Sequence, residues 1–363
     1  MTAPQNKSAW LIGPKEKPFK VADAPLPSPD AGEVLIKNAA VAINPVDWKI
    51  QELGVFIQKY PNILGGDFAG VVEDVGAGVT RFKKGQRLPN ISHGNSFSAV
   101  FQTGKPELSA FQHYACGLEA LTAPIPDALP FVNAVVLPLA ISTVAAALYF
   151  PDHLALPLPT VSPPPPQSGA KKQTILTWGG ASSVGSVAIQ LAKASGLHVL
   201  TTASARNAAY ARSLGADAMF DYAGADVEAA VAAAIQKAAD VEGAPFVGAL
   251  DSISSPDTLR TIARVVAKAG LPPITKVAAT QQPPEGLEGS IVVTPVFAMT
   301  IGLPKNADIA VAIWGRFVPE ALAAGVLQAK PDPLVVGHGL ESIQKGLDVQ
   351  WQGVSAKKVV VTL

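Results

Sequence analysis

Two short groups of residues in this 363-residue chain have the types and spacing to hold an anionic ligand. The first is Gly179-Gly180-Ala181-Ser182-Ser183-Val184-Gly185. Gly179 and Gly180 can take the positive φ of a tight turn. Free N–H groups at a helix start, here Ser182, Ser183 and Val184, can hold a pyrophosphate, and Gly185 lets that helix pack closely on the preceding strand. The second group is Ser204, Arg206 and Asn207. A unit that prefers NAD places an Asp or Glu about twenty residues past the glycines, where it binds the ribose 2′-hydroxyl. Between Ser186 and Ala216 this chain has no acidic residue at all. A hydroxyl, a guanidinium and an amide instead suit a 2′-phosphate, whose charge an Asp would repel. NADPH is the expected cofactor.

These residues need a strand, a turn and a helix in succession. Thr174 to Trp178 is short, apolar and β-favouring, and from Val184 the apolar residues Val184, Val187, Ala188, Leu191 and Ala192 fall on one helix face, closed by Gly196. Further strands are expected near His198–Thr202, Ala218–Phe220, Phe246–Leu250 and Ile274–Ala278. Helices are expected at Val184–Ser195, Arg206–Leu214, Val227–Ala238 and Pro256–Lys268. Such alternation predicts an α/β fold with a doubly wound parallel sheet, the cofactor lying across the C-terminal strand ends.

Residues 1 to about 140 read differently, as short β runs such as Val34–Lys37 and Ala69–Glu73 between Gly, Pro and Asp. After Lys305 the alternation stops, leaving a helix around Asp308–Ala324 and a terminal strand, Lys358–Leu363. The expected division is a β-rich domain from 1–140 and 306–363, and a nucleotide-binding domain from 141–305 that carries a proline-rich loop at 151–173. Phe131 to Phe150 is twenty residues without a charge, the length of a membrane span. Asn133, Ser142, Thr143 and the mid-stretch Pro138 favour a buried, broken helix at the domain junction instead.

Composition narrows the function. Lys plus Arg and Asp plus Glu are both 28, so nothing attracts nucleic acid or an acidic membrane face. One cysteine, Cys116, permits neither an internal disulfide nor a cysteine-based zinc cluster, which fits a reducing compartment. The first ten residues lack the apolar core of a secretion signal, and the cytoplasm is the expected location.

Several segments resemble the medium-chain dehydrogenase/reductases, in their zinc-free quinone-oxidoreductase and enoyl-reductase branch. They are Val41-Ala-Ile-Asn-Pro-Val-Asp-Trp-Lys49, Leu64-Gly-Gly-Asp-Phe-Ala-Gly-Val-Val72, Leu137-Pro-Leu-Ala-Ile-Ser-Thr143, the glycine turn, Leu214-Gly-Ala-Asp217, Phe220-Asp-Tyr222, Ala249-Leu-Asp-Ser-Ile253 and Lys357-Lys-Val-Val360. The proline-rich insertion and the Ser204/Asn207 pair are similar to the fungal trans-acting enoyl reductases of the lovastatin type. The resemblance implies that the β-rich domain is GroES-like and that Tyr222, Ser252 and Ile253 join the cofactor site. Zinc-dependent members carry a Cys ligand where this chain has Asn44 and a Gly-His-Glu motif where it has Gly65-Gly66-Asp67, so no metal is expected.

Hydride addition to a simple ketone would leave a localised alkoxide that needs a Lewis acid, whereas addition to the β-carbon of an activated alkene gives a delocalised enolate that hydrogen bonds can support. By resemblance, Lys49 and Thr143 line the reductive site, Asn44 organises the nicotinamide side, and Asp47 is structural. The implied activity is NADPH-dependent reduction of an enoyl, alkenal or enone double bond, on a small molecule or a carrier-bound intermediate supplied by a synthase partner. A quinone reductase and a cofactor-binding protein without turnover are the alternatives, and the chain is expected to be a monomer or homodimer.

Overall fold

The computed structural model describes residues 5–57, 59–85, 92–93, 105–162, 172–241, 243–287 and 291–363. The chain begins with β1 (Asn6–Leu11), β2 (Lys20–Ala24), β3 (Glu33–Ala42), α1 (Pro45–Leu53), β4 (Asn62–Ile63), β5 (Asp67–Val75), β6 (Ser92–His93) and β7 (Tyr114–Leu118). Two helices follow, α2 (Phe131–Ala134) and α3 (Pro138–Tyr149). The alternating region is β8 (Thr174–Trp178), α4 (Ser183–Ala194), β9 (His198–Ala203), α5 (Ala208–Ser213), β10 (Ala218–Asp221), α6 (Val227–Asp240), β11 (Phe246–Asp251), α7 (Pro256–Lys268), β12 (Lys276–Ala279) and β13 (Val292–Pro295). The chain closes with α8 (Ala307–Ala310), a π-helix (Val311–Phe317), α9 (Val318–Ala323), β14 (Asp332–His338), α10 (Ile343–Gln352) and β15 (Lys357–Thr362).

Two units divide these elements. The first holds Met1–Leu139, Trp314–Ala323 and Ala329–Leu363. Its larger sheet runs β14-β15-β3-β5-β6, with β7 also on β3. β3 is flanked by antiparallel partners along its length, with Val41 opposite Val361 of β15 and Phe68 of β5. Most of its residues are buried, apolar Val34–Ile36 and Ala40–Ala42 among them, while Lys37 is exposed. Ile36, Val41, Ile43, Phe68, Phe111 and Val359 sit in the core of this unit.

The second unit holds Ala140–Ile313 and Ala324–Gln328. Its sheet runs β10-β9-β8-β11-β12-β13, parallel throughout. The order reverses between β8 and β11, which is where such sheets open a crevice at the strand ends. Leu176, Leu200, Ala249 and Val277 of the strands pack with Val231 and Ile235 of α6 and Leu259, Ile262 and Val266 of α7. The spacing of those helix residues buries one stripe of each helix against the sheet.

Several expectations shift. The expected division at 305/306 lies instead at 313/314, inside the π-helix, and 324–328 returns to the second unit, where Gln190 accepts the Gln328 N–H at 2.8 Å. The sequence reading has no counterpart of β13, which extends the sheet beyond β12. The apolar Phe131–Tyr149 stretch is long enough to cross a membrane by length and composition, but it breaks after Ala134, restarts at Pro138 and is 78% buried. In the proline-rich stretch the Thr160 N–H donates to the Ala194 carbonyl at 3.0 Å, while 163–171 lie outside the described residues.

Candidate active site

β8 ends at Trp178 and the chain turns at once through Gly179, whose φ of 82° is open to glycine at little cost. A Cβ on Gly180 would meet the Thr201 hydroxyl at 2.2 Å, and one on Gly185 would meet the Gly179 carbonyl oxygen at 2.2 Å. The turn therefore lies flat against β9 and against the first turn of α4. Ser182 caps that helix: its hydroxyl oxygen accepts the Gly185 N–H at 3.0 Å and bonds the Ser252 hydroxyl at 2.8 Å. The first N–H groups of α4, those of Ser183 and Val184, have no carbonyl one turn back to bond. The Ser183 hydroxyl is buried and without a hydrogen-bond partner. A buried orphan hydroxyl beside free amides suits a phosphate oxygen, so this cradle fits the pyrophosphate of a dinucleotide.

The residues expected at the two ends of that ligand lie at the neighbouring strand ends. Ser204 and Asn207 follow β9 and bond each other, Asn207 Nδ2 donating to Ser204 Oγ at 3.1 Å, while Arg206 between them is exposed. The Tyr222 N–H donates to the Ala203 carbonyl at 3.2 Å, which sets Tyr222, 53% exposed, beside Ser204. After β11, Asp251 is fully buried. One of its oxygens accepts the N–H groups of Ile253 and Ser254, both at 2.9 Å, and the other accepts the Thr258 hydroxyl at 2.6 Å. Burial pushes its carboxyl above the usual range, and these bonds pull it back. Asp251 thereby shapes the loop that presents Ser252 and Ile253, a role hidden in the Ala249-Leu-Asp-Ser-Ile253 run. Tyr210, whose hydroxyl meets Ser186 Oγ at 2.8 Å, also escaped the sequence reading; its place one turn past Asn207 on an amphipathic helix was the available signal.

In the first unit, α1 turns Asp47, Ile50 and Gln51 inward and leaves Lys49 on the opposite face, half-buried. Burial lowers the Lys49 pKa below the ordinary 10.5, and Nζ stands 5.8 Å from the Trp48 ring centre. Thr143 belongs to the second unit, buried on α3. Asn44, expected to organise the nicotinamide side, is held from within the protein. It is 1% exposed, and its amide is turned into a buried polar cluster, Nδ2 donating to Asp67 Oδ2 at 2.9 Å and Oδ1 accepting from Lys358 Nζ. Lys358 Nζ is also 3.3 Å from Asp67 Oδ2, and Asp67 Oδ1 accepts the Leu139 N–H at 2.9 Å. The Asn44 N–H donates to Asp47 Oδ2 at 2.7 Å. Desolvation, with repulsion from Asp67, pushes the Asp47 carboxyl up to about 7, against the pull of its backbone donors and of Lys358.

Of these residues, Asn44 and Asp67 stand where the sequence resemblance places the zinc-ligand motif, and the set does not fit zinc. The Asp67 oxygens already accept three donors, the cation beside them is an ammonium, and neither His nor Cys contributes a side chain to the set. Among the described residues no group of three or more His, Cys, Asp and Glu is placed to hold a metal.

Comparison with known proteins agrees with this architecture. Residues 30–127 match the family described as the alcohol dehydrogenase GroES-like domain, and residues 183–300 the one described as zinc-binding dehydrogenase. The chain is 42% identical over 361 residues to the trans-enoyl reductase himH of Aspergillus japonicus, covering 99% of this chain and 97% of that protein. It is 36% identical to the dehydrogenase orsE of Emericella nidulans, covering 99% of both. In fold it is similar to an alcohol dehydrogenase superfamily protein of Novosphingobium aromaticivorans (TM-score 0.74, 23% identity, 99% of both chains covered). It is also similar to a quinone oxidoreductase of Pseudomonas syringae (TM-score 0.68, 24% identity, 99% and 100% covered).

Proposed function

Since the chain belongs to the medium-chain dehydrogenase/reductases, nicotinamide-dependent oxidoreductases, in the branch of the fungal trans-enoyl reductases, we propose that it reduces carbon–carbon double bonds conjugated to a carbonyl, with NADPH and without a metal. The observation that carries this reading is that Asn44 and Asp67, two of the positions where the resemblance places the zinc-ligand motif, are buried and bonded to Lys358 and to each other. With no Lewis acid to hold an alkoxide, conjugate addition, whose charge spreads over an enolate, is the hydride acceptance that hydrogen-bond donors support most readily.

Bound NADPH supplies the hydride. The glycine turn, Ser182 and Ser183 hold its pyrophosphate, Ser204, Arg206 and Asn207 its 2′-phosphate, and Tyr222 and Ile253 offer exposed apolar surface to its adenosine half. In the first unit, Lys49 donates a hydrogen bond to the carbonyl oxygen as it becomes an enolate. The lowered pKa of Lys49 follows from partial desolvation, the condition under which a charged donor acts most strongly. The test is NADPH oxidation against enoyl thioesters, enals, enones and quinones. Turnover of the first three classes with saturated products is the expected result; turnover of quinones alone would replace this reading by a quinone reductase.

A further inference from the structure

Asp67 has no exposed surface, Asn44 1%, Asp47 2% and Lys358 3%. Taking two carboxyl groups, an ammonium and a carboxamide out of water is unfavourable, and a buried ion pair is a weak source of stability, so the cluster calls for another explanation. That explanation lies in what each oxygen of Asp67 holds. Oδ2 accepts from the side chain of Asn44, the residue that caps α1, and the Asn44 N–H is held in turn by Asp47 in the first turn of the same helix. Oδ1 accepts the N–H of Leu139, the second residue of α3. Lys358, from the last strand, bonds both the Asn44 carbonyl oxygen and the carboxylate. Lys49 lies little more than one helical turn beyond Asn44 on the same helix.

We propose that Asp67, locked by Lys358, is a positioning residue: it fixes the first turn of α1 so that Lys49 is held in the orientation its hydrogen bond requires. Asp67 does not itself touch the substrate. The proposal rests on the reading of Lys49 as a donor to the substrate oxygen.

The test is a double-mutant cycle on kcat with a crotonyl thioester, using the full chain, Asp67→Asn, Lys49→Met and the double variant, with NADPH affinity measured for each by fluorescence titration. An asparagine keeps the size of Asp67 and an oxygen for Leu139, but sets an NH2 group against Asn44 and Lys358. Asp67→Asn is expected to lower kcat by about tenfold or more while NADPH affinity changes less than about twofold. In the Lys49→Met background the same substitution should cost less than about twofold, because coupled residues are not additive. Equal losses in both backgrounds, or no loss in either, would overturn the proposal. If Asp67→Asn does not fold, Lys358→Gln takes its place in the cycle, keeping an N–H donor for Asn44 and removing the charge. Turnover of the crotonyl thioester by the unaltered protein tests the functional reading; the coupling tests the positioning. A protein active only on quinones would fail the first, and the cycle read on a quinone would still decide the second.

Discussion

The glycine turn of the second unit and the buried polar cluster of the first both anchor a helix N-terminus, yet they are made of different material. At the turn, anchoring comes from backbone: Gly179, Gly180 and Gly185 let the chain close on itself within seven residues, and Ser182 caps α4 from inside the same run. In the cluster it comes from side chains of three separate segments, Asn44 and Asp47, Asp67, and Lys358, with the Leu139 N–H of a fourth bonded to Asp67; the sheet order β15-β3-β5 sets the strands of Lys358 and Asp67 on either side of β3. A backbone device tolerates almost no added atom, while a side-chain device tolerates isosteres and responds to pH. Substitutions at the two places should therefore differ in kind.

The largest effect is expected at the turn. Gly185→Val would push a side chain into the Gly179 carbonyl, an atom that cannot move without opening the turn. It should lower unfolding stability by more than about 3 kcal/mol and abolish NADPH binding, measured by thermal melting and fluorescence titration.

Asp47 should yield the next effect, and only as a function of pH. Its folded pKa of about 7 lies above the ordinary 3.8, so the folded chain holds this proton more tightly than the unfolded one. The resulting stabilisation is fully present below about pH 4 and is lost as pH rises through 7. Asp47→Asn should remove that slope, gaining on the order of a few kcal/mol relative to the parent between pH 4 and pH 8. Parallel denaturation curves for the two proteins across this range would show Asp47 to be in ordinary equilibrium with solvent.

Lys49→Met should slow alkene reduction by on the order of a hundredfold, with NADPH affinity nearly unchanged. Because burial lowers the Lys49 pKa, the parent protein should lose kcat on the alkaline side below pH 10.5, and the variant should lack that limb. The smallest effect concerns the cofactor. Ser204→Ala and Arg206→Ala should each weaken NADPH by about tenfold and leave NADH unchanged, in a direct titration of both.

The same contrast explains what was legible in the sequence. The glycine turn, Ser182, Ser183 and the parallel strands could be read because their signals are local: a period, a spacing, a turn residue. β13 was missed because Val292–Pro295 is four residues long, with Val292 exposed and a proline at its end, and only pairing with β12 makes it a strand. The crossing at 313/314 was missed because a π-helix keeps helical composition while shifting its bonding by one residue. The partner of Asn44 is not legible in the sequence, because nothing local announces Lys358, more than three hundred residues away.

The central claim, hydride delivery from NADPH to the β-carbon of an activated alkene, is tested most directly by following the label. Reaction of an enoyl thioester with NADPH deuterated at the transferable position of the nicotinamide should yield the saturated thioester with a single deuterium at its β-carbon, with or without a zinc chelator present. Deuterium on a carbinol carbon, with the double bond intact and the activity abolished by chelation, would contradict the account.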